Sequence, residues 1–178
     1  MIAGEAVINL YSYYQASNGT NNIPSLYLLI LIEIILGGLF IMNSVSKKSM
    51  RYFILSLIAI SVANTFYVSM IGGSIYDHNP LNRSLQGYFM VIFCIIYYYD
   101  LLVHKELIKL EKNATFWVVT AMFFFFGTTQ FHFLFLHFAY ASYPKVAVIF
   151  SKLFYLIIIV YYSLLAIGLW KKQFSKIQ

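Results

Sequence analysis

The chain has 178 residues, of which 61% are hydrophobic, 20% aromatic and only 10% charged, with a mean hydropathy of +0.77. Soluble globular domains carry about 25% charged residues, so the composition excludes that class, and the expected membrane domain leaves no length for a soluble catalytic domain. The net charge of +6 sits beside apolar runs, which assigns it to a membrane surface rather than to nucleic acid.

In chain order, residues 1–22 read as a polar extracytoplasmic segment, with Tyr11, Tyr13 and Tyr14 suited to the headgroup region. The first charge is Glu5 and no basic stretch precedes the short apolar run, so the pattern is not that of a signal peptide. A helix needs roughly 20 apolar residues to cross the hydrocarbon core. The segments 25–45, 52–72, 88–103, 114–137 and 146–170 qualify, the third being the shortest and expected to continue through Asp100 and His104 into the interface. Pro24 and Pro144 precede the first and last of them, where a first-turn proline costs no hydrogen bond. The connections are 43–51 and 104–113 on one side, 73–86 and 139–145 on the other. Asn113 is placed to cap the fourth span. The expected fold is all-α, with a bundle of five transmembrane helices filling residues 23–178.

Orientation follows from the basic residues. Lys47, Lys48, Arg51, Lys105, Lys109, Lys112, Lys171, Lys172 and Lys176 fall on one side, against Arg83 and Lys145 on the other, with Lys152 just inside the last span. The positive-inside rule therefore predicts an N-terminus outside and a C-terminus in the cytoplasm. The cytoplasmic membrane is the expected location. Lys105, Lys109 and Lys112 form the surface that would meet a cytoplasmic partner.

Against this frame the polar residues of the spans fall at similar depths. At 1.5 Å per residue, Glu33 lies roughly 10 Å below the outer boundary, Lys152 roughly 9 Å and Asn64 about 12 Å, with Gln130 and His132 between about 6 and 9 Å. Ionisable groups facing lipid cost several kcal/mol, so such residues turn towards the bundle interior or a wet cavity. Glu33 and Lys152, opposite in charge and matched in depth, are the expected pair. Gly37, one turn from Glu33, would let another helix approach closely. Gln130 and His132 project from different faces of their helix, and one of those faces is expected to meet lipid. These five residues, Glu33, Asn64, Gln130, His132 and Lys152, are the candidates for an outward-facing ligand or ion pocket.

Chemistry-bearing motifs are absent: there is no paired His-carboxylate motif, no nucleophile with a nearby base and no glycine-rich phosphate loop. His132 and His137 are five apart and do not share a face as two ligands four apart would, so neither a metal nor another cofactor is expected. Cys94 sits in an apolar run as a packing residue, and Tyr97, Tyr98 and Tyr99 with Asp100 read as an aromatic belt closed by a helix-terminal acid.

Tyr99-Asp100-Leu101-Leu102, Asn113-Ala-Thr-Phe116-Trp117, Gly127 and Ala166-Ile-Gly168-Leu-Trp170 form a pattern over the last three spans. It resembles the C-terminal half of a group of small multispanning inner-membrane proteins of Bacteroidetes-type bacteria, often encoded beside sensor histidine kinases. This chain departs from that pattern at Ala114, where a proline is usual, and is shorter by about two N-terminal spans. The resemblance implies a role in signal input and brings no functional residues with it. The expected function is a non-enzymatic signal-input or accessory protein; the alternative is a homo-oligomeric pore or channel, such as a stress or antiviral effector.

Overall fold

The computed structural model describes residues 2–70, 80–104 and 110–174. Among them are six α-helices: α1 (Ile2–Ser17), α2 (Ile23–Ser44), α3 (Lys48–Met70), α4 (Pro80–His104), α5 (Ala114–Ser142) and α6 (Pro144–Phe174), with a 3-10 turn over Leu110–Lys112. The last five are long and apolar enough to cross a membrane. The all-helical, five-span expectation therefore holds.

Local chemistry sets the helix ends. Gly19, at φ +69°, takes the left-handed conformation that favours glycine and lets α1 fold back onto α2. Pro24 lies in the first turn of α2, and Pro80 and Pro144 open α4 and α6, where the missing N–H is not needed. The Asn113 side chain caps α5 as expected, its Oδ1 accepting from the Thr115 and Phe116 amides at 2.9 and 3.3 Å.

Two boundaries differ most from the sequence expectation. The third span begins at Pro80 rather than at 88, so residues 80–86 are helix, not loop. A hydropathy reading takes Asn82, Arg83, Ser84 and Gln86 for solvent-facing residues, but Asn82, Ser84 and Gln86 are buried and Arg83 is mostly so. The connection expected over 139–145 shrinks to Tyr143 alone. Pro144 lacks the N–H that would continue α5 and is well placed to start α6, and the two helices pack as a tight hairpin.

α4 packs against α2, α3 and α5, while α6 packs against α5. The apolar core follows from that placement: Ile34 and Ile41 from α2, Ile54 from α3, Met90, Phe93 and Tyr97 from α4, and Val119 and Met122 from α5 are fully buried. Close approach depends on two glycines of α2. A Cβ on Gly38 would lie 2.6 Å from Ile58 Cδ1 and 3.1 Å from Phe93, and one on Gly37 would run into Met90 and Met122. The face that Gly37 shares with Glu33 is thus the face α2 turns to α4 and α5.

Candidate functional site

The buried face of α2 carries Ile30, Glu33, Ile34, Gly37 and Ile41 at helical spacing. Opposite Glu33, the first turns of α4 present Arg83 and Gln86, three residues apart and on one face. Arg83 NH1 meets Glu33 Oε2 at 2.5 Å and NH2 meets Oε1 at 3.4 Å. Gln86 closes the ring. Its Oε1 accepts from Arg83 at 2.7 Å, while its Nε2 donates to Glu33 Oε2 at 2.7 Å and to the Ile30 carbonyl at 3.3 Å. The side chains of Arg83 and Glu33 are only 15% and 6% exposed, so the pair is taken out of water and holds itself neutral.

The expected Glu33–Lys152 pair is not formed. Arg83 occupies the Glu33 carboxylate, and Lys152 is exposed on α6, a helix whose extensive packing is against α5. The difference arises because Arg83, which hydropathy places in a loop, lies on the first turn of α4. A signal for it was legible: positions 83, 86, 90, 93, 97 and 100 alternate steps of three and four, so the apolar stripe of α4 continues backward into the polar residues.

Asn64 does enter the polar layer. Its Nδ2 donates to Asn82 Oδ1 at 3.2 Å, and Thr65, which donates to the Ser61 carbonyl at 3.0 Å, places its hydroxyl 3.5 Å from the same oxygen. α3 is thereby tied to α4 one turn before Gln86.

Gln130 and His132 do project in different directions, but neither faces lipid; both are buried. Gln130 lies on α4. A Cβ on Gly87 would stand 3.2 Å from Gln130 Cβ and 3.4 Å from its Oε1, so the glycine makes room for the carboxamide. Gln130 Oε1 is buried without a hydrogen-bond partner. His132 turns to α6 instead and stacks on Phe154, with ring centroids 4.9 Å apart and planes 20° apart. Thr128 returns hydrogen bonds to the Phe124 and Phe125 carbonyls at 2.7 and 3.1 Å, as threonines in helices commonly do.

Asp100 is the residue the sequence reading undervalued. It is fully buried, and its Oδ2 accepts the Ser46 N–H at 2.9 Å, clamping the turn between α2 and α3. Arg51 Nε donates to the Val45 carbonyl of the same turn at 2.8 Å. Tyr97 is likewise buried, and Tyr98 is half-buried and bonded to Thr120 Oγ1 at 2.9 Å; of the supposed aromatic belt only Tyr99 is exposed. Lys47, Lys48, Arg51 and Lys112 are exposed, and the first three flank the clamped turn, at the end of the bundle away from Glu33. Lys105 and Lys109 lie outside the described residues.

Among the described residues no three His, Cys, Asp or Glu side chains converge as metal ligands would, and Cys94 is a buried free thiol. What the arrangement offers chemically is a charge-compensated carboxylate–guanidinium pair, three amide side chains engaged with it or beside it (Gln86, Asn64 and Asn82), and one buried acceptor, Gln130 Oε1. No family model, curated protein or solved structure matches the chain.

Proposed function

We propose that the chain is a non-enzymatic signal-input or accessory protein of a bacterial inner membrane, with its N-terminus outside. A small polar ligand or a proton reaches the layer formed by Glu33, Arg83, Gln86, Asn64, Asn82 and Gln130 from the outer side. The basic face at the other end, Lys47, Lys48, Arg51 and Lys112, meets a cytoplasmic partner. The observation that carries this reading is the one-sidedness of the interior. Hydrogen-bonding groups crowd one half of the core, and fully buried apolar side chains, Ile41, Met90, Phe93 and Met122 among them, fill the space beneath. A continuous ion path needs lining throughout, whereas a binding layer needs it at one level only.

Purified protein in liposomes is therefore expected to carry no ion current. Discrete conductance together with a defined oligomer in detergent would replace this reading with the pore. Orientation is tested separately: a membrane-impermeant maleimide added from outside should modify a cysteine at position 79 and miss one at position 109. The reverse labelling would place the polar layer on the cytoplasmic side and remove the outward-facing pocket.

A further inference from the structure

A second feature lies on the face of α2 turned away from α4, where α1 packs against the first turns of the helix. Between them runs a groove of about 350 Å³, at the lower end of the range of small-molecule sites, about 300–1,000 Å³. Val7, Pro24 and Leu28 supply apolar walls, and Tyr11, Gln15 and Ser25 supply polar atoms. Val7, Tyr11 and Leu28 are more than half exposed, so the groove is open along its length and admits a chain laid in sideways.

The polar end has a definite sense. The Ser25 hydroxyl donates to Gln15 Oε1, which uses the acceptor of that amide and leaves its N–H groups, with the Tyr11 O–H, as donors. Among the described residues no charged side chain lines the groove. Its preferred partner is therefore a neutral acceptor joined to an alkyl chain. A phosphate would want a lysine or arginine, and a purely apolar chain would leave the donors idle. The groove also stands at the start of a span, Ile23–Ser44, the level at which lipid ester groups meet the hydrocarbon.

We propose that this groove is a lipid site: it holds one acyl chain of a membrane glycerolipid along Val7, Pro24 and Leu28, with the ester carbonyl accepting from Gln15 Nε2.

The test uses the full chain in nanodiscs doped with a phospholipid carrying a photoreactive diazirine near the start of one acyl chain. Adducts are expected to concentrate on the peptides bearing Val7 and Leu28, and Leu28→Trp, which fills the groove, should remove them while leaving adducts on Leu156 and Ile159 of α6 unchanged. An ether-linked probe lacks the carbonyl. It should label the groove about fivefold less than its ester counterpart, the worth of one neutral hydrogen bond, and Gln15→Leu should abolish that difference without unfolding the hairpin. Labelling that is uniform over α1, α2 and α6 and indifferent to Leu28→Trp overturns the site. Equal labelling by ester and ether probes overturns the carbonyl recognition. Covalent dimers formed by a photoreactive residue at position 28 would show a second copy there instead of lipid.

Discussion

The two halves of the bundle solve the same packing problem with opposite chemistry, and α4 runs through both. Its first two turns place Asn82, Arg83, Gln86 and Gly87 against polar partners on α2, α3 and α5. Its later turns place Met90, Phe93, Cys94 and Tyr97 in a core that is otherwise aliphatic and aromatic. The apolar half draws on dispersion and on shape, and other apolar residues of the right volume can serve. The polar half depends on partners. Each charge there is tolerable only while the other is present, so it specifies which faces meet far more narrowly than the apolar half does. One buried acid also stands at the far end: Asp100, whose Oδ2 accepts a backbone amide.

That contrast is broken most directly at the ion pair. Glu33→Ala or Arg83→Ala alone should destabilise the bundle by about 3–5 kcal/mol, the cost of a stranded buried charge, while Glu33→Met with Arg83→Met should recover most of the loss. Unfolding in mixed detergent micelles measures all three variants. A double variant as damaged as the sum of the singles would mean that the pair does not hold the polar half together. The same cycle run on Glu33 and Lys152 should be additive to within about 0.5 kcal/mol.

At the opposite end, Asp100→Ala should cost about 1.5–3 kcal/mol, the range for a hydrogen bond to a charged group. Its particular signature is local: the Ser46 amide should lose protection from hydrogen exchange while the amides of α5 keep theirs. Unchanged protection at Ser46 would show that the α2–α3 turn does not need its clamp.

Shape is tested at the paired glycines of α2. Gly38→Ala must displace Ile58 and Phe93, an overpacking cost of about 1–3 kcal/mol, offset by the roughly 1 kcal/mol that alanine gains over glycine in a helix. Gly37→Ala meets the ends of two methionines, which move easily. Gly38→Ala should therefore be the more destabilising, and equal effects would contradict the packing at Ile58.

The smallest effect is expected at Gln130. Because its Oε1 is buried without a partner, Gln130→Leu should leave stability within about 0.5 kcal/mol of the parent, since no hydrogen bond is lost. If the proposed binding role is right, the same substitution abolishes ligand response despite normal insertion and folding. A large loss of stability would instead make Gln130 a structural member of the polar layer.

Composition and hydropathy alone gave an all-helical chain with five helices long and apolar enough to cross a membrane, because a 20-residue apolar helix has few alternatives to spanning the hydrocarbon. The Asn113 cap, the helix starts at Pro24 and Pro144 (though not the one at Pro80), and the separate faces of Gln130 and His132 were also readable, since each depends only on neighbours within a turn or two. The partner of Glu33 was not. Matching Glu33 to Lys152 by depth and charge ignored which helices touch, and that is decided by where Gly37 and Gly38 let α2 approach α4. Nor could hydropathy recognise Asn82, Arg83 and Gln86 as interior residues. A window of single-residue scores treats a charge as exposed, whereas burial depends on whether another helix brings the opposite charge to meet it, and only the tertiary structure decides that.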